Sequence, residues 1–447
     1  MRLAEWTDRI RHSLWFVPTI CTIVAAALAL LLIWVSELTD LDVTGMPLVF
    51  SAGVDGARAM LQAIAGSIIT VAGVIFSITI VALQLTSTQF SPRVLRNFLS
   101  DRSNQIVLGV FVGTFIYTLL VLRSIRSQDE DVSAFVPSIA ITGALVLTLV
   151  SMGMLIYFIH HISVRIQVTS IVASVAEDSL ETIRRMSERW KPAEDRAWQP
   201  VAADGAVTVP PSGAVPPGAV SPSEVLLPAR ESGYLQFVDI GHLVDVAREA
   251  GGRLRLLVAP GAWVQAGVPC AAFMPPNTVG DVDPDGLADE IEEAFGIGHE
   301  RSMAEDAAFG IQQLVDVAIK ALSPSVNDPT TAMNCIDRLV QVLVAAGSEP
   351  DPPRVFADAD REPRLEIPFP GFDELVDLSF AQVRHYGGTT PAVVVHLARA
   401  LSQLCALPPV RREAVTRQAR LLAEAAAGIE LDTERRYAME AIGPLLD

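Results

Sequence analysis

Four apolar runs stand out along the chain: Leu14 to Val35, Leu61 to Gln89, Ile106 to Leu122 and Val136 to Ile162. Each is long enough to cross a bilayer as a helix, and the first exceeds the apolar core of a signal peptide. The second run is not apolar all round. At about 100° per residue, Gln62, Gly66, Thr70, Gly73, Ser77, Gln84 and Thr88 fall on one stripe, while Ile64, Ile68, Val71, Ile75 and Ala82 lie opposite. The pattern predicts one face for lipid and another for protein or water. Two readings of the stripe follow. Small and hydroxyl side chains let neighbouring helices approach closely, or several copies of this helix surround an axis and hydrate a permeating ion. Thr79 and Thr86, off the stripe, can bond the carbonyl one turn back.

Beyond the fourth run no Gly or Pro interrupts the chain between Met154 and Trp190, which predicts one helix leaving the membrane. Val168, Val172, Val175, Ser179, Ile183 and Met186 give it a packing seam. His160 and His161 stand near the membrane end of this helix. As neighbours they point about 100° apart, which suits interfacial anchors, with pH sensing as the other role.

From Lys191 to Ser223 the chain is rich in Pro, Ala, Gly and Val and reads as a linker. Residues 224–276 change to short β-prone runs, with a helix predicted over Gly241 to Ala250 capped by Asp239 or a residue near it. Within them VAPGAWVQAGVPCAAF resembles the turn and return strand of lipoyl-like modules, without a lysine between Glu224 and Pro276 to carry the prosthetic group. The remainder reads as helical: Asp306 to Leu322, then a helix begun by the Asp328 cap and Pro329, a loop from Gly347 to Pro370, and helices over Phe372 to His385, Pro391 to Cys405, Val410 to Ala427 and Asp432 to Ile442. The fold class is therefore an α-helical membrane protein with four transmembrane helices, plus a cytoplasmic α+β region in which a small β module precedes a helical domain. The divisions are 1–165, 166–190, 191–223, 224–276 and 277–447.

Charge sharpens this picture. Hydrophobic residues make up 51% of the 447, and the formal net charge is −18. Through Trp190 thirteen Arg face fourteen acidic residues, so the acidity lies in the C-terminal part. That sign argues against a nucleic-acid partner, whose phosphates it would repel. Arginines cluster before the first span, between the second and third and after the fourth, which places both termini in the cytoplasm by the positive-inside rule; Arg123 and Arg126 run against it. Cys21, Cys270, Cys335 and Cys405 are too scattered for a zinc site or a disulfide framework.

Catalytic motifs are not evident, and neither an enzyme nor a cofactor is expected. Asp289, Glu290, Glu292 and Glu293 read as a solvated helix face, and capping already accounts for Asp328 beside Asn327. Three phrases, ITIVALQLTSTQFSPRVLRNFLSDR, YFIHHISVRIQV and FGIQQLVDVAIKALSPSVNDPTTAMNCIDRL, resemble the bacterial predicted membrane proteins grouped as domain of unknown function 2254. The resemblance covers nearly the whole chain, least so from Lys191 to Ser223. It implies four spans and a cytoplasmic C-terminal region, and no residue receives a catalytic role from it. The expected function is an oligomeric, channel-like or transport-related protein of the bacterial inner membrane, with lipid, further copies of itself and inorganic ions as partners. A membrane-anchored scaffold or ligand sensor is the alternative. Apolar residues on more than one face of the helices from Asp306 to Ala345, among them Ile311, Leu314, Val315, Ile319, Met333, Ile336 and Val344, point to an assembly role for the cytoplasmic domain.

Overall fold

Each apolar run folds as a helix, because a span in lipid must satisfy its backbone internally. These are α1 (Phe16–Leu38), α2 (Val54–Gln89), α3 (Arg102–Ser124) and α4 (Ser138–Arg165). The computed structural model describes residues 15–38, 53–89, 102–126, 135–165, 167–191, 196–201, 224–275 and 283–446, without the side chains at 83, 85–89 and 165. The chain divides into two compact units, Met1–Ser170 and Ile171–Asp447.

In the first unit α3 is the central helix, half buried, while the other three are mostly exposed. Helices α1 and α3 run parallel and close. A Cβ at Gly109 would lie 2.9 Å from Cys21 Sγ and 3.1 Å from Pro18 Cα, and one at Gly113 would lie 3.2 Å from Ala25 Cβ. Only glycine permits that approach. Helices α2 and α4 run antiparallel to α3. Near one end Leu61 shares a core with Tyr117, Val121, Ala140 and Ile141, and Tyr117 donates to the Ala140 carbonyl at 2.8 Å. Near the other end Ile68, Ile75 and Ala82 pack with Val107, Phe111 and Phe158. Between them Thr114 and Ser151 hydrogen-bond at 3.0 Å.

The continuous helix expected through Trp190 divides in two: α4 stops at Arg165 and α5 spans Val168–Trp190. Ile166 lies outside the described residues. No Gly or Pro marks this break, so nothing in the local composition signalled it.

In the second unit the predicted seam of α5 is its packed face, with Val172, Val175 and Ser179 buried. It lies against α8 (Ala307–Ala321), where Gly310 has room for no side chain beside the Ser179 hydroxyl. Thr182 donates to the Met303 carbonyl at 3.0 Å, and Arg189 pairs with the buried Glu305.

The β strands are β1 (Gln199–Val201), β2 (Val225–Pro228), β3 (Gly233–Val238), β4 (Arg253–Leu256), β5 (Trp263–Val264), β6 (Pro269–Met274), β7 (Phe295–Gly298), β8 (Val355–Ala357) and β9 (Pro363–Glu366). Six form one sheet in the order β1-β8-β9-β4-β6-β2, and three form another, β5-β3-β7. Here the structure departs from the expected boundaries. Strands β1, β8 and β9 come from the predicted linker and from the predicted loop after Gly347, so residues 224–276 supply only half of the larger sheet. The sequence hid this because β1 and β8 have three residues each, too few to show a period of two. The phrase that resembles a lipoyl-like turn and return strand covers β5 and β6. Strands β5 and β6 are not a hairpin, since β5 pairs with β3 and β6 with β2 and β4.

Helices α6 (Ile240–Glu249) and α7 (Pro284–Glu293) belong to the same unit, and Leu243, Val244 and Ile291 share a core with Leu254, Phe273, Phe356 and Leu365. Asp239 caps α6 as predicted, accepting from the His242 amide at 3.1 Å. The helical portion continues through α9 (Pro329–Ser348), α10 (Phe372–Gly387), α11 (Pro391–Leu404), α12 (Arg412–Ala426) and α13 (Asp432–Ile442). Asp328 caps α9, accepting from the Thr331 amide at 3.1 Å and its hydroxyl at 2.6 Å. The apolar faces of α8 and α9 that suggested a neighbouring subunit are largely covered by α10 and α11 of the same chain; Ile311, Leu314, Val315 and Ile336 are fully buried there.

Two carboxylates tie this unit to pH. The Thr331 hydroxyl and amide hold Asp328 below the usual carboxylate range. Burial penalises the Asp358 charge, but Arg364 at 2.8 Å and the Glu362 and Asp360 amides outweigh it and hold that group low as well. A carboxyl depressed in the folded state contributes stability above its unfolded pKa of about 3.9, and this is lost as pH falls through the folded value. Thermal unfolding of the full-length protein is expected to show a lower midpoint below about pH 4, with a shallower acid limb in Arg364→Ala.

Candidate functional site

The apolar face of the striped helix, expected to meet lipid, is placed inside the bundle. The face carrying Ile64, Ile68 and Ile75 is the buried one, packed on α3 and α4, instead of facing lipid. Gln62, Gly66, Thr70, Gly73, Ser77 and Gln84 are exposed on the outside of the four-helix unit. The physical reason is the shape of the apolar side: Leu61, Ile64, Ile68 and Ile75 recur at steps of three, four and seven, a knob pattern that fits the groove of a neighbouring helix. Small polar residues at those positions would leave the core around Phe111 and Phe158 unfilled.

The outward stripe has open space before it. A Cβ at Gly66 or Gly73 would meet nothing within 4 Å, in contrast to Gly109 and Gly113 in the α1–α3 contact. Thr70 donates to the Gly66 carbonyl at 2.7 Å, and Thr79, off the stripe, does the same to Ile75 at 2.9 Å. The Ser77 and Gln62 side chains make no hydrogen bond among the described residues. Ile69, Val74, Phe76, Ile80 and Val81 flank the stripe, each 41–52% exposed. The Thr86 and Thr88 side chains lie outside the described residues.

His160 is exposed, and His161 stacks on Tyr157 with ring centroids 5.4 Å apart. Tyr157 in turn donates to the Ser103 hydroxyl at 3.1 Å. The adjacent histidines are thus not brought together, and among the described residues no group of three or more His, Cys, Asp or Glu is arranged to hold a metal ion.

Sequence reasoning missed a second polar feature of this unit. Asn104 and Gln105, in the first turn of α3, are 7% and 2% exposed. The Asn104 carbonyl and both amide atoms of Gln105 have no hydrogen-bond partner among the described residues. The signal was present as two amides beside Arg102 at the head of an apolar run. Because an unpaired buried amide costs about 1–3 kcal/mol, Gln105→Leu is expected to leave the unfolding midpoint of purified protein unchanged or raised. A fall of several degrees would mean that the amide is satisfied.

Comparison with known proteins now bears on this helix bundle. A family model described as predicted membrane protein, domain of unknown function 2254, matches residues 11–403. The chain belongs to this family. Uncharacterized proteins of Mycobacterium bovis and Mycobacterium tuberculosis are each 33% identical to it over 423 residues, covering 94% of this chain and 77% of theirs. No solved structure matches the chain. It is therefore a member of a predicted membrane protein family with four candidate spans, as the three long phrases implied.

Proposed function

We propose that the protein is an oligomeric, channel-like or transport-related component of the bacterial inner membrane, in which the stripe of α2 lines an axial path shared between copies. The outward direction of Gln62, Ser77 and Gln84 carries this reading. Within a span, polar side chains turned away from their own bundle would meet hydrocarbon, and such groups face a protein or water-filled surface instead. Cyclic assembly around an axis supplies that surface, since four spans enclose little of their own. The arginine clusters support cytoplasmic termini. The second unit would then regulate or assist assembly, although its own helices cover most of the apolar surface that first suggested a neighbour.

A second reading is a membrane-anchored scaffold or ligand sensor that moves nothing. It is favoured by Thr70, whose hydroxyl is already satisfied by its own helix, and by the open glycines, which suit close packing between copies equally well. Reconstitution separates the two. Protein in lipid bilayers is expected to conduct ions, with conductance altered by Ser77→Leu or Gln84→Leu. Bilayers that stay silent under varied voltage, tension and pH support the scaffold.

A further inference from the structure

Helices α6 and α7 pack on one face of the six-stranded sheet, where Leu243, Val244 and Ile291 meet Leu254, Phe273 and Leu365. The alternate strand positions turn the other way. On that outer face Leu226 and Met274 are 44% and 43% exposed, Arg253 is exposed, and Val355, Arg364 and Glu366 are half-buried. A groove of about 140 Å³ runs there between Arg253, Met274, Val355 and Glu366. Arg364 already pairs with Asp358 and Arg255 with Glu224, whereas Arg253 makes no hydrogen bond or ion pair among the described residues. Topology decides what must cross this face. Strands β1 and β2 are consecutive in the chain yet form opposite edges of the sheet. Four of the five pairings between them are antiparallel and β4–β9 is parallel, so β1 and β2 run in the same direction. A parallel return cannot turn at one end of a sheet and has to pass back along the strands.

We propose that the outer face of this sheet is the docking site for the chain's own segment 202–223. That segment makes the return from β1 to β2, and α6 and α7 already hold the inner face. The sheet is about 24 Å across at about 4.8 Å per strand spacing, which the 22 residues of the segment span with length to spare at about 3.1 Å each. Chemistry matches as well. Pro210, Pro211, Pro216, Pro217 and Pro222 have no N–H to give to the helix that usually makes such a crossover. Leu226, Met274 and Val355 offer apolar surface to these prolines and to Val207, Val209, Val215 and Val220, and the Arg253 guanidinium is a donor for the segment's carbonyls. Asp204 is the single charge in the segment and is opposite in sign to Arg253. Docked there, the segment ties β1, which follows α5 in sequence, to the far edge of the sheet. The proposal does not depend on conduction through α2.

The test is limited proteolysis of the full-length protein in detergent with an elastase-type protease, which cuts after the alanines and valines of 202–223. Cleavage follows the undocked population. Leu226→Asp and Met274→Asp, both at exposed positions, should keep the parent unfolding midpoint and raise the cleavage rate within 202–223 about tenfold. Arg253→Ala, which adds no charge to the face, should raise it about threefold and decides the matter if an Asp variant lowers the midpoint. Protection in the parent should not change with protein concentration. Cleavage as fast in the parent as in the variants overturns the proposal, and so does protection that falls on dilution, which would seat the segment of a second copy on this face.

Discussion

Asp306→Ala is expected to destabilise the second unit by about 3 kcal/mol, since it removes one partner of a buried pair together with a helix cap. Asp306 is 5% exposed. Its carboxylate accepts from Arg301 twice, at 2.6 and 3.1 Å, and from the Phe309 amide at 3.0 Å. Burial pushes this carboxyl up, while Arg301 and the Phe309 and Ala308 amides pull it down. Substitution leaves the α8 terminus uncapped and Arg301, 26% exposed, without its partner. Asp306→Asn keeps an acceptor for the cap and is expected to cost less. Gly261, at φ +88°, packs so closely on this carboxylate that a Cβ would collide with it, so Gly261→Ala should reproduce much of the loss. Chemical denaturation followed through the second unit measures all three. A loss below about 1 kcal/mol in Asp306→Ala would show that the cap and pair are not needed.

The second large effect separates two kinds of glycine in the membrane unit. Gly113→Leu is expected to prevent α1 and α3 from closing, because the space at its Cβ is already occupied by Ala25 and the Cys21 carbonyl, each 3.2 Å away. Overpacking of this kind costs about 1–3 kcal/mol where neighbours can shift, and here one neighbour is backbone. Gly73→Leu introduces the same side chain into open space on the outer face of α2. It should leave the fold of the four-helix unit intact and, if copies meet along the stripe, shift the protein from oligomer to smaller species. Size measurement in detergent, alongside thermal unfolding, checks both. A folded, fully assembled Gly73→Leu protein would place the stripe outside any contact.

The sequence made the spans legible because a long apolar run has few alternatives, and two caps legible because Asp239 and Asp328 each precede an amphipathic helix; Asp306, whose side chain caps its helix, reads in the sequence only as that helix's first residue. Asp432 to Ile442 forms α13 with the boundaries its pattern indicates. Direction was harder to read. The stripe of α2 is apparent from periodicity, but which face turns inward depends on whether the isoleucines fit Phe111 and Phe158, side chains more than twenty residues away. Pairing was harder still. Leu254 of β4 lies beside Leu365 of β9 in a parallel register across a separation of over a hundred residues, and no local signal links them. The buried Asn104 and Gln105 side chains, whose Oδ1, Nε2 and Oε1 atoms have no hydrogen-bond partner among the described residues, escaped notice because a polar residue near a span terminus ordinarily faces water.

Thiol accessibility along α2 tests the central claim most directly. In a cysteine-free background, single cysteines replace Gln62, Ile68, Ile75, Ser77 and Gln84, and native membranes are treated with a membrane-impermeant reagent. A water-filled axial path predicts labelling of Ser77→Cys and Gln84→Cys, with Ile68→Cys and Ile75→Cys protected inside the bundle. If Ser77→Cys stays unlabelled and reaction is confined to Gln62→Cys at the end of the span, the stripe faces lipid or packed helices, and the proposed path does not exist.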